Sequence, residues 1–136
     1  MFESINEVAV LVSAILAIAV GSIWYSPLLF GKYWMRGAGL SETSLQVSGK
    51  KMVKLLSHAL VANLLLLFVI AQFVELTKML EQQLATTAIL LILFLAAVSA
   101  TAVIWEEKPF SYLFINVGYA AVVVFGGMTV LWHWPW

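Results

Sequence analysis

The chain has 136 residues, 63% of them apolar and 10% charged, with a formal net charge of zero. Zero net charge gives no global field toward nucleic acid or an acidic partner. The absence of cysteine excludes disulfides, thiol catalysis and thiolate metal sites, and the absence of aspartate removes many phosphoryl-transfer and Mg²⁺ schemes.

A soluble domain of this size could bury a core without the four apolar blocks of near membrane-spanning length found here. Before the first block, Glu3 and Glu7 stand without any Lys or Arg, so the block is read as a mature transmembrane helix and not a cleaved signal. Ser4-Ile5-Asn6-Glu7 fits a capping box. A helix from Ile5 to Tyr25 would be about 31 Å long, enough to cross the hydrocarbon. Ser13, Ala17 and Gly21 recur every fourth residue and line one stripe where a neighbouring helix could approach closely; chance spacing in an Ala-rich helix is the competing reading.

Pro27 lacks an N–H and disfavours helix at Ser26. Ser26 is then expected to cap a second, short helix over 27–36 with Pro27 at its first position. Leu28, Leu29, Phe30, Tyr33, Trp34 and Met35 mix there with Lys32 and Arg36, the pattern of a helix lying at the membrane interface. Gly37 and Gly39 end it. Ser41 is expected to cap a polar helical turn through Gln46, and Gly49 interrupts again.

The second apolar run is 52–74, entered through Lys50, Lys51 and Lys54, and Glu75–Glu81 reads as a polar connection. The third run is 83–105. Glu106-Glu107-Lys108-Pro109 is a tight turn that forces an antiparallel neighbour, the fourth run, 110–132. The whole chain is therefore expected to be one all-α membrane domain: four transmembrane helices in an antiparallel bundle, with a short interfacial helix between the first and second.

Lys32, Arg36, Lys50, Lys51, Lys54 and Lys108 fall on one side and Lys78 alone on the other. The side rich in Lys and Arg is expected to be cytoplasmic, with both termini outside. Trp24, Tyr25, Trp34 and Trp105 would form one aromatic belt, and Trp132, Trp134 and Trp136 the other.

Gly21-Ser22-Ile23-Trp24-Tyr25-Ser26-Pro27, then Phe30-Gly31 and Trp34-Met35, resemble a family of small bacterial membrane proteins known only as domain of unknown function 1761. Pro109 and Leu113-Phe114-Ile115-Asn116-Val117-Gly118-Tyr119 carry the second part of the resemblance. The resemblance implies four transmembrane helices; a bacterial cytoplasmic membrane is the expected location. It implies no reaction, ligand or catalytic residue.

Placed by depth, the polar groups concentrate toward the cytoplasmic side: Tyr25 and Ser26, Ser57 and His58, Thr101 and Glu106, then Tyr112, Asn116 and Tyr119. Tyr25, Ser57, His58, Glu106, Asn116 and Tyr119 form the candidate ligand-binding layer. His58 is the one intramembrane group whose charge could change near neutral pH. Its functional reading is a proton-accepting or ligand-binding residue near Glu106 or Tyr119; the preferred one is a neutral histidine hydrogen-bonded across helices. Asn116 in lipid would leave its amide unpaired, so it should face protein or water. Tyr112, Asn116, Tyr119 and Val123 share a stripe with Gly126 and Gly127; these two, with Gly118, are expected at helix contacts. Lys50, Lys51 and Lys54 could hold anionic head groups, though setting topology is the preferred reading. His58 and His133 fall on opposite sides, so no metal site is expected, and no cofactor motif is present. The expected partners are the lipid bilayer and a second copy, a dimer by preference, with no nucleic acid. The expected role is a structural or binding membrane protein that packs with itself or a partner. A homo-oligomeric transporter using the polar layer is the alternative, and an enzyme is not expected.

Overall fold

Asn6 caps the first helix. Its Oδ1 accepts from the Ala9 N–H at 3.0 Å, satisfying one of the free donors of the first turn. Glu7 is therefore the first helical residue, and Ser4 of the expected Ser4–Glu7 box lies outside the described residues. In a computed structural model of the chain, residues 5–41, 49–80 and 83–135 are described; Ser4, the polar turn from 42 to 46 and Trp136 lie outside them. Replacing Asn6 with alanine should cost about 1 kcal/mol in a thermal or denaturant melt, and replacing it with glycine only a few tenths.

Five helices lie among the described residues: α1 Glu7–Trp24, α2 Gly31–Ala38, α3 Gly49–Met79, α4 Leu84–Trp105 and α5 Phe110–His133. All but α2 are long and apolar enough to cross a membrane. The segment 25–30 is a turn, not the start of a helix at Pro27. Ser26 shapes it: its hydroxyl donates to the Ile23 carbonyl and accepts from the Leu28 N–H, while its carbonyl accepts from the N–H groups of Leu29 and Gly31. The Phe30 N–H then reaches back to the Trp24 carbonyl. The chain doubles back so tightly that only at Gly31 can α2 begin.

Met35 and Gly37 are buried while Lys32, Tyr33 and Arg36 are exposed, so α2 is amphipathic and lays its apolar side on α5. Gly37 sits inside α2, against Tyr112; Gly39, at φ 72°, ends the helix in the left-handed region that favours glycine.

Helix α3 has 31 residues, about 46 Å at 1.5 Å each, more than the hydrocarbon needs. The expected polar connection over 75–81 is helical as far as Met79. No proline or glycine interrupts it, and Glu75 and Lys78 pair one turn apart at 3.0 Å. At its other end, residues 49–58 are all exposed.

The core joins α1, α3 and α5: Ala9, Val10 and Ala17 meet Leu67, Ile70, Ala71 and Val74 and, from α5, Val123, Val124, Met128 and Leu131. Helix α5 touches every other helix. Helix α4 packs chiefly on α5, as the four-residue turn dictates, and buries only Ala88 and Val103. Helices α3 and α4 follow one another but touch little. They are tied near their connection, where the Thr77 hydroxyl donates to that of Thr87 at 3.0 Å. Beyond it they enclose an apolar cleft of about 400 Å³, floored by Val124 of α5.

Candidate functional site

Three aromatic side chains from the end of α1 and from α5 knit one end of the bundle. The indole N–H of Trp24 donates to the Ile115 carbonyl at 3.0 Å, and its ring lies over Gly118, where a Cβ would come within 2.9 Å. Trp24 is thus turned inward, onto α5. Tyr119 donates to the Ala17 carbonyl at 3.0 Å and crosses Gly21. Tyr25 donates to Asn116 Oδ1 at 2.9 Å, and the Asn116 amide donates to the Tyr112 carbonyl one turn back. Both ends of the amide are therefore engaged by protein.

Around this network the rings pack edge to face. Tyr25 and Tyr119 lie 5.3 Å apart, Tyr25 and Trp34 5.4 Å, and Trp34 stacks on Tyr112 at 6.2 Å. Between them and the last turns of α4 opens a cleft of about 460 Å³, lined by Tyr25, Trp34, Glu106, Tyr112 and Asn116 with Ser99 and Val103 on the α4 side. Lys108 pairs with Glu106 and stands 4.8 Å over the Tyr112 ring. The hydrogen bond to Glu106 holds the ammonium above the ordinary lysine range, so it is charged at any physiological pH.

Of the expected layer, the structure brings together Tyr25, Glu106, Asn116 and, behind them, Tyr119. Ser57 and His58 are apart from it. Both are exposed on the free half of α3: the Ser57 hydroxyl donates to the Val53 carbonyl, and His58 Nδ1 lies 2.6 Å from the Lys54 carbonyl. His58 therefore meets neither Glu106 nor Tyr119. Depth alone placed it with them; the divergence of α3 from α4 separates them.

Two lining residues carry more than sequence reasoning gave them. By sequence Trp34 is a belt candidate and Tyr112 one member of a stripe; the return of α2 onto α5 stacks them. The signal was Tyr112 four residues before Asn116, on one helical face. Asn63, in the middle of an apolar run, also passed unremarked; it is half-buried, its amide donating to the Ala59 carbonyl.

Ser13 and Ala17 are buried, Gly127 lies under Leu67, and Gly126 is exposed beside a shallow groove between α1 and α5. Trp105 is 84% exposed. Trp132 and Trp134 are half-buried against the core, with the Lys78 ammonium 5.6 Å over Trp132. Lys50, Lys51 and Lys54 are exposed at the start of α3.

By its fold this is a polytopic membrane protein with four spans. Residues 8–132 match the model of a family described as a protein of unknown function, DUF1761, and the chain belongs to that family. No curated protein and no solved structure matches it.

Proposed function

We propose that the chain is a small binding protein of the membrane that self-associates, two copies closing the open α3–α4 side of one another. The observation that carries this is the apolar cleft of about 400 Å³ between two consecutive helices, lined by Leu66, Ile70, Phe73, Leu91, Phe94 and Leu95. Apolar surface alone does not drive association in a bilayer, because lipid tails are as apolar as leucine. Shape and polar groups do. A re-entrant cleft packs better against a helix than against mobile chains. On the free half of α3, moreover, His58 Nε2 and Asn63 Oδ1 have no partner among the described residues, a costly state at membrane depth. A second copy supplies both packing and partners, and a two-fold dimer is the commonest way to do so.

The α2 end, with six of the seven Lys and Arg residues, is read as cytoplasmic. Transport is the alternative. What supports binding over passage is that the aromatic polar cleft stays at one end, and the α3–α4 cleft, which shares no lining residue with it, is apolar apart from Thr87.

Native mass spectrometry from lipid nanodiscs tests self-association. Dimers are expected at every protein loading. Monomers throughout, retaining one tightly held lipid, would assign the α3–α4 cleft to lipid and overturn the proposal.

A further inference from the structure

The cleft at the α2 end is walled by electron-rich rings. Trp34 stacks on Tyr112 with 25° between the planes, and Tyr25 meets Trp34 edge-on at 65°. Glu106, whose side chain is 53% exposed, is the one acidic residue lining the same cleft. Aromatic faces with a carboxylate beside them attract an organic cation through the ring quadrupole and the charge together.

The protein already holds a cation in this way. The Lys108 ammonium stands over the Tyr112 ring and pairs with Glu106, so one positive group occupies an aromatic face and the carboxylate at once. The lysine is tethered on the turn beside α5, and about 460 Å³ of the cleft is left open, within the range of small-molecule sites.

The polar groups narrow the class further. The Tyr25 hydroxyl and the Asn116 amide are committed to one another and to the Tyr112 carbonyl. What remains for a guest is ring surface, one carboxylate and the side chain of Ser99, which suits an organic cation over an anion. We infer that this cleft binds an organic ammonium group, held by the rings of Trp34 and Tyr112 and the carboxylate of Glu106, in competition with Lys108. The inference deepens the binding part of the proposed function and is independent of self-association. The group could arrive on a free solute or on a choline lipid head group, and the chemistry is the same.

Equilibrium dialysis of benzyltrimethylammonium against the full chain in phosphatidylethanolamine nanodiscs tests it, with empty nanodiscs as blank. Saturable uptake of one cation per chain is expected. Trp34→Leu should weaken it by about tenfold, between the worth of an exposed and of a desolvated cation–π contact, and Glu106→Gln should weaken it similarly by removing the carboxylate. Lys108→Gln should tighten it severalfold by removing the competitor. Neopentylbenzene, the uncharged isostere, should not displace the cation. Repeating the titration in phosphatidylcholine separates the sources: weaker uptake there shows that the choline head group enters the cleft, and equal uptake shows that only the free solute does.

Glu106 and Lys108 lie on an exposed turn, so their variants decide the matter even where Trp34→Leu fails to fold. Uptake equal to that of empty nanodiscs, displacement by neopentylbenzene, or an unchanged affinity in both turn variants would overturn the inference. Subunit mass by native spectrometry is read separately, so a monomer that binds the cation refutes self-association alone.

Discussion

Gly31→Ala is expected to destabilise the protein by about 3 kcal/mol or more and to dismantle the aromatic cleft with it. A Cβ at Gly31 would lie 2.3 Å from the Tyr25 carbonyl oxygen and 2.7 Å from the carbonyl carbon and oxygen of Ser26. All three are backbone atoms, so no side-chain rotation relieves the overlap. The turn itself must open, breaking the hydrogen bonds from Phe30 to Trp24 and from Gly31 to Ser26. Helix α2 would then lose its seat on α5, and Trp34 would leave Tyr25 and Tyr112. A thermal melt in detergent reads the stability. Ser26→Ala, which removes only the hydroxyl bonds of the same turn, should cost far less. Equal effects from the two variants would show that the tight return is not what positions α2.

Leu67→Ala and Gly127→Ala are expected to destabilise singly and to compensate in combination. Leu67 is fully buried, and its Cδ1 lies 2.5 Å from where a Cβ on Gly127 would stand. Truncating a buried leucine in a water-soluble core costs about 2–5 kcal/mol. Here the unfolded helices remain in lipid, so the transfer from water drops out, and the loss of packing leaves about 2 kcal/mol. Gly127→Ala forces Leu67 aside at a cost of about 1–3 kcal/mol. In the double variant the new methyl group enters the space the leucine vacated. Its cost should fall about 1 kcal/mol short of the sum of the singles in a double-mutant cycle. Strict additivity would mean that α3 and α5 do not meet at these residues.

The four spans were legible because the bilayer demands about 20 apolar residues from each crossing helix, and no other constraint in the chain is as strong. The antiparallel α4–α5 hairpin followed from the shortness of Glu106–Pro109, and the joining of Tyr25 with Asn116 and Tyr119 from their common depth. Depth is a one-dimensional coordinate, however. It could not say that α4 peels away from α3, and so it put His58 beside residues it never meets.

Hydropathy likewise read Glu75 and Lys78 as a loop. They pair on the surface of a continuing helix instead, since only a proline or glycine would have been a backbone reason to stop. The turn after Tyr25 was marked by Pro27, but its closure at Gly31 depends on hydrogen bonds between residues that no periodicity links. Trp24 had the composition of a belt residue, and only the glycine at 118 permits its ring to turn inward.

Because the chain has no cysteine, a single introduced thiol reports one position cleanly. The most direct measurement is cross-linking by a short bis-maleimide in native membranes, comparing Phe94→Cys on α4 with Ile15→Cys on α1. The two native residues are 65% and 53% exposed, so lipid access is similar, and only Phe94 lines the α3–α4 cleft. The self-associating reading predicts a covalent dimer from Phe94→Cys and none from Ile15→Cys. Dimers from both in equal yield, or from neither, would contradict it.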